Sequence, residues 1–545
     1  MTTPSERRAA DLARLADERW DLLIVGGGIV GAGALLDAAS RGMKVALVEQ
    51  DDIAAGTSSR SSRLIHGGLR YLQQGQVGLV REALAERARL LRLAPHLVRL
   101  EAFLFPIYGP RALTRAVYEI GLTGYDLLGS RRSAGPHRHL GLAQTLEYAP
   151  NLRREGLRGA LLYHDAMEDD ARYTLAVVRT ALAHAAGAAA AVTRVRARGP
   201  LHDGDRIAGA SVEDVETGTT LDVSATAVLD ATGVWGALPD RPFGGAAFDV
   251  LPARGSHLVI ERDRIPARGG MSIRHAGHTV FLVPWPGHWL VGTTDEPYRG
   301  PLDHVAASPG EVDAILGTLN GAMDLGLSRL DIAGTYAGLR PLVAPSASSS
   351  TVKVSREHRV AVEAPGLVRV SGGKYTTYRV MARDAVDAVL GRGPASLRPS
   401  ATAELPIHGA APRAELVALA AALARDGALT HDQATSLVDR HGTDAPAVAD
   451  LGREHDLLRP LAAGHPFLEA EIGWAVEREL ATTLDDLLAR RLRLAPVLRD
   501  RGEAVAPRVA AIAGGLLGWA ADRQAEEVAR YLATARREFG VPSPD

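Results

Sequence analysis

The chain has 545 residues, 46% hydrophobic and 23% charged, with a formal net charge of −2. That is enough to bury a large core in two or three domains, and there is no basic field that would hold nucleic acid. The absence of cysteine excludes disulfides, thiolate zinc or iron–sulfur sites, a cysteine nucleophile and a cysteine-linked flavin.

Met1 to Trp20 is charged and helix-prone without an apolar core, so it is expected to be neither a secretory signal nor a membrane anchor. The run Leu22-Leu23-Ile24-Val25 reads as a buried parallel strand, and Gly26, Gly28 and Gly31 follow at G-x-G-x-x-G spacing before a helix-like stretch, Ala32 to Arg41. Glycines there tighten the turn and let the backbone approach a pyrophosphate, whose charge sits at a positive helix N-terminus. A second strand, Lys44 to Val48, ends at Glu49, where an acid accepts hydrogen bonds from the adenosine ribose and repels a 2′-phosphate. The longest clean apolar run, Leu22 to Leu36, is too short to span a bilayer, and the chain is expected to be cytoplasmic.

The polar run Thr57-Ser58-Ser59-Arg60-Ser61-Ser62-Arg63 then leads into Leu64-Ile65-His66-Gly67-Gly68-Leu69-Arg70-Tyr71-Leu72. Between Pro110 and Leu122, Leu113, Val117 and Ile120 recur at helical spacing with Arg111 and Arg115 nearby. Such a stripe suits an interfacial helix and equally one packed on a core. Asp169-Asp170-Ala171-Arg172 opens a helical stretch to Ala186, followed by strand signals at Ala190 to Arg198 and a hairpin-like region around Val212 to Val223. Ala227 to Asp230 is an apolar strand delivering Thr232-Gly233 to a turn beside a cofactor.

Short-strand patterns at Gly255 to Ile260, Val280 to Trp285 and Trp289 to Asp295 suggest an inserted antiparallel substrate sheet. Tyr336 to Leu342, Arg356 and Ser371-Gly372-Gly373-Lys374-Tyr375-Thr376-Thr377 bring back the first domain, and the last of these is another glycine turn entering a helix. From about Glu404 onward Ala, Leu, Arg and Glu recur with helical periodicity, the pattern of a separate helical domain without evident chemistry.

Together, Gly26 to Ile29, Thr57 to Leu72, Asp169 to Arg172, Gly292-Thr293-Thr294-Asp295, Gly338-Leu339-Arg340-Pro341-Leu342 and Gly372 to Arg379 closely resemble the FAD-dependent, quinone-linked glycerol-3-phosphate dehydrogenases. The resemblance runs from about Asp21 to Arg383, with Leu487 to Leu494 matching the family's C-terminal domain. It implies an α/β fold: an interrupted Rossmann-type FAD-binding domain (1–95, 160–245, 335–395), an inserted antiparallel-sheet substrate domain (96–159, 246–334) and an α-helical C-terminal domain (400–545). It further implies non-covalent FAD, oxidation of sn-glycerol 3-phosphate to dihydroxyacetone phosphate and electron transfer to a quinone, with peripheral contact at the inner face of the cell membrane. A homodimer stays an open option. An oxygen-using oxidase on the same scaffold and a non-catalytic flavin-binding redox sensor are the alternatives.

The residues suit those roles. A phosphate dianion needs fixed cations, and guanidinium groups bind oxyanions bidentately; Arg340, Arg356 and Lys374 match the family's substrate-binding positions, with Arg70 and Tyr71 close by. Arg340 is also placed to polarise the C2 oxygen. Removing the hydroxyl proton calls for a group of near-neutral pKa, which makes His66 the first candidate for the base and His257 the reserve. Gly26, Gly28, Gly31, Glu49, Thr57, Ser58, Ser59, Thr232, Gly233, Gly373, Lys374 and Thr376 are the expected cofactor contacts.

Overall fold

The computed structural model describes residues 3–68, 77–109, 136–244, 247–344, 357–391 and 399–544. Arg70, Tyr71, Arg356 and the stripe from Pro110 to Leu122 lie outside these residues.

Apart from Asp21, the strand Trp20–Val25 is buried throughout, as a strand covered on both faces of a parallel sheet must be. It pairs in parallel with Val45–Glu49 on one side and Thr220–Asp230 on the other. Ala189–Thr193 and Leu367–Gly372 extend the parallel sheet, and His358–Ala364 closes one edge antiparallel. The helices Ile29–Ser40, Asp170–His184 and Tyr378–Leu390 stack on one face. Gly33 lets them approach, since a Cβ there would stand 2.8 Å from the Tyr378 ring. The helix Pro4–Asp17 and a meander of Val195–Asp203, Arg206–Asp214 and Thr220–Asp230 cover the other face.

The second sheet is built around Asp249–Glu261, His278–Trp285 and His288–Gly292, all antiparallel. It runs on through Gly270–His275 and Val98–Tyr108 to Leu157–Glu168 and Leu64–Ile65. Two of its strands were expected elsewhere: Leu157–Glu168 and Ile332–Ala344 pair within this sheet, although residues 160–168 and 335–344 read as nucleotide-domain sequence. An apolar strand carries no mark of the sheet it joins when its partner lies far along the chain. The expected strand Ala190 to Arg198 is also split, because Arg194 takes a left-handed conformation (φ 59°).

The C-terminal region is helical as expected, and part of it shares a core with the substrate sheet. Leu487, Leu488, Val509, Tyr531 and Phe539 pack in one buried cluster with Phe103, Tyr163, Val259 and Tyr336. Only Arg413–Leu423, His431–His441 and Ala445–Glu454, together with part of Ala470–Arg478, form a smaller apolar cluster of their own. No helix among the described residues is long and apolar enough to cross a membrane.

Candidate active site

A cavity of about 1220 Å³ runs from the C-terminal edge of the parallel sheet to the face of the substrate sheet. At one end stands the first turn of Ile29–Ser40, whose N-cap is Gly28 with no side-chain cap of its own. Gly26 has φ +113°, and a Cβ there would lie 2.6 Å from the Ala231 carbonyl oxygen. Gly31 does not line the cavity; its Cβ would fall 1.9 Å from the Gly26 oxygen, so its role is to seat the helix on the turn. Open helix amides over a glycine cradle fit a pyrophosphate, and the volume accommodates a dinucleotide.

Glu49 ends the second strand as expected. Its Oε2 accepts from the Gly27 N–H at 2.6 Å and its Oε1 from the Asp51 N–H at 2.8 Å. Burial pushes this carboxyl up to about 7, against the pull of those two amides. The acid therefore braces the glycine turn while keeping lone pairs for a ribose.

Several hydroxyls expected to face a cofactor spend their protons on the protein. Thr57 donates to the Leu339 carbonyl at 2.6 Å and Thr232 to Asp230 at 2.7 Å. Ser58 accepts from the Ile29 N–H at 2.9 Å, capping the fingerprint helix from outside. Ser59 donates to the Gly56 carbonyl and does not line the cavity. Thr376 accepts from the His66 N–H at 3.3 Å. These groups fasten the walls; Gly233 and Gly373, both at positive φ, line the cavity directly.

His66, His257, Arg340 and Lys374 converge at the other end. Arg340 rises from Ile332–Ala344, with Nη1 donating to the Thr294 carbonyl at 3.1 Å and to Asp295 at 3.2 Å. Gly255 makes room for it: a Cβ there would stand 2.5 Å from Nη2. His257 lies within the substrate sheet, stacked on Tyr336 at 4.6 Å, with Nε2 2.8 Å from the Ser62 hydroxyl. Burial, then the charges of Arg340 and Arg63, push it down to about 3. A ring so weakly basic is poorly matched to taking a hydroxyl proton near neutral pH. His66 is half-buried beside Gly67-Gly68 and lines the same cavity.

The sequence reading missed the ion pairs that tie the C-terminal region to the segment from Asp52 to Ser61. Arg491 forms a two-pronged pair with the buried Asp52, both contacts at 2.8 Å, and Arg490 adds a third at 2.6 Å. Arg493 reaches Asp170 at 2.7 Å, and Asp170 in turn accepts from the Ser61 amide and hydroxyl. Near the end of the last helix, Ala521–Phe539, Glu538 pairs with Arg60 and with His304. Arg490-Arg491-Leu492-Arg493, charged residues inside an apolar helical stretch, was the available signal.

Residues 21–388 match the FAD dependent oxidoreductase family model, and residues 400–524 match the C-terminal domain of alpha-glycerophosphate oxidase. A glycerol-3-phosphate dehydrogenase 2 of Mycobacterium tuberculosis (strain ATCC 25618 / H37Rv) is 42% identical over 98% of this chain and 91% of its own length. The chain belongs to this family. The oxidoreductase is also 33% identical to the mitochondrial glycerol-3-phosphate dehydrogenase of Homo sapiens, over 98% of this chain and 75% of the relative. A crystal structure of the glycerol-3-phosphate dehydrogenase from Bacillus halodurans complexed with FAD superimposes with a TM-score of 0.79 at 26% identity, covering 100% of this chain and 99% of the other.

Proposed function

We propose that this FAD-dependent oxidoreductase oxidises sn-glycerol 3-phosphate to dihydroxyacetone phosphate and passes the electrons to a quinone. The observation that carries the reading is the convergence of His66, Arg340 and Lys374 on one cavity with the open N-terminus of the fingerprint helix. The names of the relatives support the substrate, and the family resemblance supports the quinone and a peripheral place on the membrane.

Gly26, Gly28 and Glu49 hold the dinucleotide half of FAD, and Gly373 and Lys374 flank its reactive ring. FAD, when bound, supplies the acceptor for the hydride that leaves C2. Lys374 and Arg340 supply the cations for the substrate phosphate; Arg340, anchored by Thr294 and Asp295, also faces the C2 oxygen. His66 takes the hydroxyl proton as the carbonyl forms, and His257 with Ser62 sets the shape of the pocket. In domain terms, the parallel sheet with its helices binds the dinucleotide and the second sheet with the C-terminal helices shapes the substrate end.

Anaerobic addition of sn-glycerol 3-phosphate to the yellow protein is expected to bleach the flavin absorption, with no bleaching by glycerol or the opposite enantiomer. A flavin that stays oxidised sinks the substrate assignment. Reoxidation faster with a soluble quinone than with air supports the quinone, and the reverse order replaces it with oxygen.

A further inference from the structure

A second cavity, of about 580 Å³, opens between the substrate sheet and the helices after residue 430. Three of the residues lining it are more than nine-tenths buried and carry polar atoms with no hydrogen-bond partner: both carboxyl oxygens of Glu168, Nε of Arg493 and Nδ1 of His96. Arg493 still pairs with Asp170 and His96 with the His408 backbone, but the Glu168 carboxyl has no hydrogen bond; buried polar groups are nearly always paired, so this carboxyl marks the cavity as built to receive something polar. Its walls also carry flat rings. Arg63 covers one face of Trp285 at 3.7 Å, and Phe467 lies between Arg440 and the ring of His465.

The charges lining the cavity select an uncharged occupant. Arg99, Arg440 and Arg493 are balanced by Asp169, Asp432 and Asp439. Burial, reinforced by Asp170 and Asp169 and opposed by Arg63, raises the Glu168 carboxyl well above its ordinary range, which favours its protonated form. Burial likewise pushes His96 down to about 3, leaving it neutral. A protonated carboxyl presents one donor beside one acceptor, the complement of an amide-like edge on a heteroaromatic ring. The volume is that of a small-molecule site, and ring faces add stacking.

We propose that this cavity is a second ligand site, binding an uncharged nucleoside-class compound whose base pairs with Glu168 and lies against Trp285. It stands apart from the reaction cavity but next to it. Glu168 is the last residue of the strand Leu157–Glu168, opposite Val98; its N–H donates to the Arg63 carbonyl at 3.1 Å, and Ser62, one residue before Arg63, touches His257.

Calorimetric titration of the FAD-loaded enzyme with adenosine, guanosine, cytidine and uridine tests this. At least one is expected to saturate a single site per chain with Kd below about 1 mM. Glu168→Leu, or Trp285→Leu should that variant not fold, is expected to weaken it about tenfold at unchanged flavin content. Saturation by none of the four overturns the proposal and leaves the cavity to ordered water. So does binding that is equally tight in both variants, or seen only in FAD-free protein, where the nucleoside occupies the cofactor's own channel.

Discussion

The two ends of the main cavity are built in opposite ways. At the dinucleotide end one stretch, Trp20 to Glu49, supplies the strand, the glycine turn, the helix N-terminus and the bracing acid. Backbone amides do most of the work there. At the reaction end His66, His257, Arg340 and Lys374 come from four separate segments, and Arg493 from the C-terminal region braces the neighbouring Asp170 and Ser61. Chemistry done by backbone amides can be written locally, because the turn that presents them is local. Chemistry done by converging side chains has to be assembled by the whole fold.

Gly31→Ala attacks the local end alone. With a Cβ 1.9 Å from the Gly26 oxygen, the turn cannot close, and the purified protein is expected to lose essentially all flavin absorption. At the reaction end, His66→Gln is expected to slow anaerobic flavin reduction about 10²- to 10⁴-fold with the flavin retained. His257→Gln should cost about tenfold or less; the opposite ranking would exchange their roles. Arg340→Met is expected to lower kcat/KM by about 10²- to 10³-fold through loss of a charge-assisted contact, read from steady-state kinetics with a soluble quinone.

Breaking the clamp tests the distant support. Arg491→Leu leaves Asp52 buried with only Arg490 as its cation, a change of about 3 kcal/mol, expected as a lower thermal midpoint together with easier FAD release. The smallest effect belongs to Glu538. Burial raises this carboxyl, but Arg60 and His304 outweigh it and hold it down at about 2. A carboxyl held below its ordinary range adds stability that is complete above pH about 4.5 and fades as pH falls toward 2. Glu538→Gln should therefore lower denaturant midpoints at neutral pH by on the order of 2 kcal/mol, with the difference from wild type shrinking over that acid range.

How much of the molecule could be read in advance follows the same division. Gly26, Gly28 and Glu49 stand where their spacing placed them, because strand, turn and helix are set by neighbours in the chain. The substrate strands around His257 and Val283 were also legible from their pattern. What could not be read was which sheet Leu157–Glu168 and Ile332–Ala344 join, since pairing across long separations leaves no periodic trace. Thr57 and Thr232 were expected as cofactor contacts, and their bonds to Leu339 and Asp230 could not be read in advance. The clamp on Asp52 left only the signal of arginines set in an apolar helical stretch, with nothing to name their partner, since each arginine alone reads as a solvated surface charge.

That clamp gives the molecule an order of assembly. Asp52 and Arg491 are 439 residues apart, so a ribosome that has finished the glycine turn must make most of the chain before the buried carboxylate meets its guanidinium. Until then the segment from Asp52 to Ser62 lacks this tether, and the wall beside it is completed only by the helices synthesised last.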